Sequence, residues 1–157
     1  GTAIVCAALI AAVPARADVT FKHITAEDAA RAVAGKTLAS PIVDGPQFNM
    51  SFHKRVESSH VEKHMGWDEE LVIQEGDVLL NYGDTASNAR EMSPGEFNAE
   101  AVTGGKSLML HAGDVVILPA GTWHHQVLKS PIMRYILFKT RKAGWVRPVI
   151  RQAGRCV

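Results

Sequence analysis

The feature that most constrains the fold is a series of short apolar runs, separated by glycine-containing turns, between about residue 47 and residue 140. The runs are rich in β-branched and aromatic residues and read FNMSFHKRV, ELVIQ, DVLLNY, SLML, DVVILP, WHHQVL and IMRYILFK. None of them shows the three-to-four-residue spacing of an amphipathic helix. Many short runs of this kind, bounded by turn residues, predict an all-β sandwich or barrel.

The first seventeen residues have the pattern of an export signal. Residues 3–13 are consecutively apolar, and Ala15-Arg16-Ala17 follows as an A-x-A cleavage site. A run of this length is too short to cross a bilayer, which needs about 20 residues. We predict a signal peptide over residues 1–17 that is truncated at its start, a periplasmic or secreted protein, and no stable membrane insertion after cleavage. The alternative is a buried N-terminal strand or helix.

Cleavage after residue 17 changes what the composition implies. The full chain has 17 Lys and Arg against 16 Asp and Glu, and Arg16 leaves with the signal. The mature chain then has no net formal charge, which argues against a protein that holds nucleic acid by its general charge. Cys6 also leaves, so that Cys156 has no partner within the chain and is either a free thiol or part of an intermolecular disulfide.

A short helix precedes the strand-rich region. Thr25 and Asp28 fit a capping box, and an alanine-rich stretch follows as far as Gly35. The predicted organisation is a signal peptide in 1–17, a helix and connecting arm in 18–46, a β-barrel in 47–140 and a basic tail in 141–157.

Two polar segments receive simple interpretations. Residues 83–105, which include Pro94-Gly95, are interpreted as a long excursion between two strands. The spaced lysines and arginines from Lys139 onward are interpreted as a solvated face, with contact to an anionic surface as the alternative.

The first cluster of chemically versatile residues lies between His60 and Glu69. In an extended strand, side chains two residues apart face the same way. His60, Glu62 and His64 are therefore expected to share a face. In the next strand, Glu69 shares a face with two apolar residues, Leu71 and Ile73, as expected for an inward-facing row with one functional group.

The second cluster follows a turn at Gly121. Alternation places His124 and Gln126 on one face of the strand and Trp123 and His125 on the other. Imidazoles and carboxylates together are ligands for Zn, Fe, Mn, Ni or Cu at an open site. The alternative is that the first cluster is an exposed polar strand face and that His124 is a turn residue.

The second cluster resembles the second motif of the cupin superfamily, G-x5-P-x-G-x2-H-x3-N. Gly113, Pro119, Gly121 and His124 match that motif at every spacing, while Leu128 stands where asparagine is usual.

The first cluster resembles the first cupin motif, G-x5-H-x-H-x3,4-E-x6-G, in part. His64, Glu69 and Gly76 match its last three elements, Glu62 replaces the first histidine, and the leading glycine is absent. The chain is most similar to small single-domain cupins with an E-x-H form of this motif, and the resemblance spans about residues 47–140.

The resemblance implies a double-stranded β-helix, or jelly roll, with one divalent metal ion in the barrel. It implies His64, Glu69 and His124 as ligands and as the catalytic residues. Glu62 stands in the position of the fourth ligand, and His60, on the same face, is its alternative. The metal is expected to be Mn, Fe, Zn or Ni, and a site with two carboxylates favours Mn, Fe or Mg over Cu. A homodimer paired through edge strands is also implied.

Three functions remain open from the sequence, because fold alone does not select a reaction. The first is a metal-dependent enzyme acting on a small organic molecule as an isomerase, lyase or dioxygenase. The second is a metal-independent acid–base enzyme, such as a dehydratase or epimerase. The third is a non-catalytic module that binds a sugar or another small ligand.

The predicted pocket residues are Trp67, Tyr82, Trp123, Gln126 and Tyr135.

Overall fold

The computed structural model describes residues 21–35 and 38–146. The predicted signal peptide, Cys156 and the basic tail beyond residue 146 lie outside the described residues. The described part consists of one helix and thirteen strands: α1 (Ala26–Ala32), β1 (Leu38–Asp44), β2 (Phe48–Arg55), β3 (Val61–His64), β4 (Trp67–Glu75), β5 (Val78–Gly83), β6 (Thr85–Ser87), β7 (Arg90–Ser93), β8 (Glu96–Ala99), β9 (Ala101–Thr103), β10 (Lys106–Leu110), β11 (Val115–Leu118), β12 (Trp123–Leu128) and β13 (Met133–Arg141).

The strands form two main antiparallel sheets. One sheet has the order β1-β2-β13-β4-β11, and the other has the order β10-β5-β12-β3-β8-β7. Strands that are distant in sequence, such as β4 and β13 or β5 and β12, are neighbours in space, and the chain passes from one sheet to the other between β2, β3, β4 and β5 and again between β10, β11, β12 and β13, as in a jelly roll. The predicted all-β architecture with a short N-terminal helix is confirmed.

The interior of the barrel changes from apolar to polar along the same strands. On β4 the buried residues alternate as predicted, running from Glu69 through Leu71 to Ile73. On β12 the buried polar residues are His124 and Gln126. The apolar part is a single cluster made of Leu71, Ile73, Val78, Leu80, Leu110, Leu118, Met133, Tyr135 and Leu137. This cluster fixes the strands, and the polar part of the interior is left to form a site.

A glycine turn joins the two predicted motifs. Gly121 has a φ of +91°, a left-handed conformation that glycine adopts without steric cost. Its backbone N–H donates a 2.8 Å hydrogen bond to the carbonyl oxygen of His64, at the end of β3. The turn therefore ties the start of β12, which presents His124, to the strand that presents His64.

Helix α1 forms where the capping box predicts it. The Thr25 side chain accepts a hydrogen bond from the Asp28 backbone N–H, and the Asp28 carboxylate accepts one from the Thr25 backbone. The helix ends at Ala32, before the expected Gly35, and the next residue, Val33, is buried. Val33 and Phe52 line one small cavity, which places the helix against β2. Within the described residues, no helix has the length and apolarity needed to span a bilayer.

Residues 83–105 are more structured than the predicted excursion. They contain β6 and β9, which pair with each other, and β7 and β8, which extend the six-stranded sheet. Strand β8 pairs with β3 so that Glu96 lies opposite His64. The polar composition of this segment hid its strands, because β7 is mostly exposed, β8 is half-buried throughout, and neither has a buried apolar row.

Candidate functional site

Three strands bring the predicted ligands together inside the barrel. Strand β3 supplies Glu62 and His64, β4 supplies Glu69, and β12 supplies His124. Glu62 and His124 are directly opposite each other in the β3–β12 pairing, so their side chains face the same way. Glu62, His64 and His124 each offer a ligand atom within 4.8 Å of the other two.

Glu69 completes this group from the opposite sheet. Its Oε1 lies 3.4 Å from His64 Nε2, and its Oε2 lies 3.3 Å from His124 Nε2. Glu62 Oε2 and Oε1 lie 3.9 and 3.7 Å from the same two nitrogens. Ligand atoms that share one first-row metal ion at about 2.1 Å lie about 3.0 to 3.4 Å apart. Each imidazole Nε2 therefore lies within 3.9 Å of one Glu62 oxygen and one Glu69 oxygen, and we call the four side chains the ligand cluster.

Both imidazoles present a lone pair to the ligand cluster. His64 Nδ1 is hydrogen-bonded to the Glu96 carboxylate, and His124 Nδ1 lies 3.1 Å from the backbone oxygen of Thr122. Both partners accept hydrogen bonds, so in the neutral rings the hydrogen is on Nδ1 and the Nε2 lone pair is free. Such outer hydrogen bonds orient metal-binding histidines in general.

His124 Nε2 is the clearest unsatisfied atom in the site. The side chain is only 2% exposed, and Nε2 has no hydrogen-bond partner among the described residues. A buried polar atom without a partner is destabilising unless something else satisfies it. A cation held between the carboxylates would supply that partner.

The electrostatics of the ligand cluster favour positive charge. Burial alone raises the pKa of the Glu62 carboxyl, but the two imidazoles and the guanidinium of Arg55 outweigh it and lower that pKa to about 2. Burial lowers the pKa of His124, but Glu62 and Glu69 outweigh it and raise that pKa above its usual value. Two ionised carboxylates at one buried point are an attractive environment for a divalent ion.

Solved structures with this arrangement of strands share the fold at low sequence identity. Protein BH2720 from Bacillus halodurans matches with a TM-score of 0.60 and 14% identity over 87% of this chain and 92% of its own. Protein TT1209 from Thermus thermophilus matches with a TM-score of 0.55 and 15% identity over 77% and 98%. A Klebsiella pneumoniae protein with a double-stranded β-helix domain matches with a TM-score of 0.50 and 14% identity over 71% and 85%.

The chain has the cupin fold, a double-stranded β-helix. This confirms the fold that the resemblance of the two motifs implies. No protein-family model matches the sequence. No curated protein matches it either.

A lysine reaches into the ligand cluster from β13. Lys139 lies opposite Glu69 in the β13–β4 pairing, and its Nζ is 2.5 Å from Glu69 Oε1. Burial raises the pKa of the Glu69 carboxyl, but Lys139 and the two imidazoles together lower it below its usual value. Lys139 was interpreted as part of a solvated basic face, and the structure corrects this, because β13 extends through Lys139 and turns its side chain into the barrel.

Three members of the ligand cluster, Glu62, His64 and Glu69, line a cavity of about 500 Å³. The cavity wall formed by β2 and β13 contains a chain of polar contacts. Ser51 Oγ lies 2.7 Å from His53 Nε2, the His53 and Tyr135 rings stack with centroids 4.8 Å apart, and Arg55 Nε donates a 3.1 Å hydrogen bond to Tyr135 Oη. Burial, then Arg55 and Lys139, lower the pKa of His53 to about 4, and burial raises that of Tyr135.

Three of the five predicted pocket residues line this cavity. Trp67, Gln126 and Tyr135 do so. Tyr82 instead lines a second cavity of about 570 Å³, between β5 and β11. Trp123 faces away from His124 and packs beside Phe97 with the Lys63 ammonium 4.6 Å from its ring centroid. These two residues are therefore outside the site.

The structure does not bring His60 to the ligand cluster. Strand β3 begins at Val61, and His60 is exposed in the preceding loop. The alternation that would align it with Glu62 does not extend past the strand's first residue. Glu62, and not its alternative His60, therefore occupies the position of the fourth ligand.

Sequence reasoning missed four residues of the site. Lys139, Glu96, His53 and Arg55 all line the cavity. His53 and Arg55 could have been found from β2. Ser51, His53 and Arg55 share one face of that strand, and the buried Phe52 lies on the other.

Proposed function

We propose that this cupin binds one divalent metal ion through Glu62, His64, Glu69 and His124 and acts on a small organic molecule in the adjoining cavity. The observation that supports the proposal most strongly is His124 Nε2, which is buried, faces two carboxylates, and has no hydrogen-bond partner in the described part of the chain. A divalent ion held by the two carboxylates would satisfy this atom.

The donor set indicates which metals fit. Two imidazole nitrogens and two carboxylate oxygens suit Mn, Fe, Zn or Ni, and the second carboxylate shifts the preference toward the harder ions Mn and Fe. Oε2 of Glu69 faces His124 and is free for a metal, while Oε1 is held by Lys139. We therefore propose Glu69 as a ligand through one oxygen only.

A bound divalent ion would supply a Lewis acid that polarises an oxygen of the substrate or acidifies a water molecule. The chain's own residues define where the substrate lies. Trp67 and Tyr135 line the cavity, and Gln126 offers it a buried amide. The cavity volume is in the range of small-ligand sites.

A metal-independent acid–base enzyme is the second candidate, and the Lys139–Glu69 contact favours it. The Lys139 ammonium already places one positive charge beside the Glu69 carboxylate, so the site holds a cation without a metal ion. In that function His64 and His124 would exchange protons with the substrate.

Metal uptake separates the two candidates. The protein is purified without chelator, and its content of Mn, Fe, Zn and Ni is measured by mass spectrometry. We expect about one ion per chain, lost in a His64→Ala, His124→Ala double variant and kept in His111→Ala, which removes an exposed imidazole on the surface. A folded wild-type protein that takes up none of these ions would exclude the metal-dependent function.

We further propose that the protein is exported and forms a homodimer. Export follows from the predicted signal peptide, and is tested by N-terminal sequencing of the periplasmic or secreted protein, with Asp18 expected first.

Dimerisation is supported by the edge strand β11, where Val115 and Ile117 are 61% and 67% exposed. An Ile117→Lys variant is expected to run as a monomer in light scattering.

A further inference from the structure

We infer that Arg55 forms an anion subsite in the barrel and that the cavity takes a small organic acid, with one carboxylate on the guanidinium. This inference rests on the proposed function, because it names the substrate class of the same site. It comes from the cavity wall formed by β2 and β13. Arg55 is fixed in that wall, and no carboxylate of the described residues forms an ion pair with it.

Arg55 is held in place by its neighbours. Its Nε donates to Tyr135 Oη at 3.1 Å, and Tyr135 is itself 2% exposed and stacked on His53. The His53 ring is in turn fixed by Ser51. A guanidinium anchored at Nε keeps its two terminal nitrogens for a ligand, which is the arrangement that binds a carboxylate with two parallel hydrogen bonds.

The terminal nitrogens of Arg55 have no partner among the described residues. No Asp or Glu carboxylate of the described residues lies within 4.0 Å of the Arg55 guanidinium. Of the four carboxylates that line the cavity, Glu62 and Glu69 belong to the ligand cluster, Glu96 is hydrogen-bonded to His64, and Asp44 is exposed at the rim. Once a metal ion engages the cluster, Arg55 is the cation without a counter-ion.

Arg55 is near the ligand cluster without touching it. Arg55 lines the same cavity as Glu62 and His64, and no ion pair within 4.0 Å joins it to a carboxylate there. A ligand in this cavity can therefore contact both the guanidinium and the side chains at the metal position.

A second, independent observation indicates that the cavity binds a polar ligand. Gln126 is 3% exposed, lines the same cavity, and its Oε1 has no hydrogen-bond partner among the described residues. A buried amide oxygen in this state needs a donor, such as a hydroxyl group of the ligand. An apolar ligand would leave both Gln126 and Arg55 unsatisfied.

The test is calorimetric binding of malonate, succinate and glutarate to the Mn²⁺-loaded protein, with the neutral diamide of each acid as its matched probe. We expect at least one diacid to bind the wild type and its diamide to bind at least tenfold more weakly. Arg55→Gln is expected to lose about tenfold or more in affinity for that diacid, and Arg55→Lys to fall between the two, because a lysine keeps the charge but loses the paired hydrogen bonds.

Two controls separate this inference from the proposed function. Arg90→Gln removes an exposed arginine on β7 and is expected to leave diacid binding unchanged. Metal content is measured in every preparation, and the titration is repeated after metal removal. Absence of metal uptake counts against the proposed function alone, since Arg55 dependence is still measured in the metal-free protein. Equal diacid affinity in the wild type and Arg55→Gln, or no binding of any of the three diacids, would overturn the anion subsite.

Discussion

The Lys139 ammonium lies 2.5 Å from one carboxylate oxygen of Glu69, and the other oxygen of that carboxylate lies 3.3 Å from His124 Nε2. A single buried carboxylate is thus shared between a fixed cation and the proposed metal position. Because both partners attract the same negative charge, Lys139 stabilises the metal-free protein and opposes the binding of a second cation.

The Lys139→Met substitution tests this shared carboxylate. Removing one partner of a buried ion pair leaves Glu69 uncompensated, and we expect the metal-free protein to lose about 3 kcal/mol in its free energy of unfolding. Removing a positive charge near the ion should strengthen Mn²⁺ binding roughly tenfold. Urea unfolding and calorimetry measure the two effects. Lys63→Met, which removes a lysine from the outer face beside Trp123, is the control. Weaker metal binding in Lys139→Met would contradict this role.

Glu96 is expected to act on metal affinity by orienting His64. Its carboxylate accepts a hydrogen bond from His64 Nδ1 and contacts no other member of the ligand cluster. Glu96→Ala should weaken Mn²⁺ binding by about 10- to 100-fold, and Glu96→Gln, which keeps an acceptor, should weaken it less. The exposed Glu100, changed to alanine, serves as the control. If all three variants bind Mn²⁺ like the wild type, His64 is not oriented by Glu96.

The stability of the metal-free protein is expected to depend on His53 between pH 6.5 and 4. Its pKa is 6.5 in the unfolded chain and about 4 in the folded one, because burial, Arg55 and Lys139 favour the neutral ring. Above pH 6.5 this contribution is fully present, and it is lost as the pH falls toward 4, because the unfolded chain takes up the proton first.

The measurement is the free energy of unfolding at pH 7.5 and 4.5. His53→Gln should lose about 2 kcal/mol less than the wild type between these two values. His60→Gln, which removes an exposed imidazole from the loop before β3, is the control variant. An identical loss in His53→Gln and the wild type would show that the ring is not held neutral.

The glycine turn before β12 is expected to affect both stability and metal binding. Gly121 and Gly113 both have a positive φ, and a β-carbon on either would meet no atom closer than 3.7 Å. Alanine at either position should therefore cost about 1 to 2 kcal/mol through backbone strain alone. Only Gly121 is bonded to His64 and precedes His124, so only Gly121→Ala should also weaken Mn²⁺ binding. Equal metal affinities in both variants would separate the turn from the site.

Local periodicity was sufficient to predict the inward rows of the barrel. The alternation of Glu69, Leu71 and Ile73, and the choice of His124 over its neighbour His125, depend only on side chains pointing to opposite faces of one strand. The structure places these residues as the alternation predicts, with the first four buried.

The remaining site residues depend on long-range strand pairing, which no single segment encodes. Lys139 meets Glu69 only because β13 pairs with β4 in one register, and Glu96 meets His64 only because β8 pairs with β3. A shift of one residue in either pairing would turn these side chains away. The alternation around His60 failed for a different reason, because it did not show that β3 begins only at Val61.

The central claim is that two imidazoles bind one metal ion in this barrel, and pulsed electron paramagnetic resonance of the Mn²⁺-loaded protein tests it most directly. With ¹⁵N-labelled histidine, the wild type should show two histidine nitrogens coupled to one Mn²⁺ per chain. His64→Ala and His124→Ala should each retain one at most, while His111→Ala should retain both. Bound Mn²⁺ with no coupled histidine nitrogen in the wild type would contradict the account.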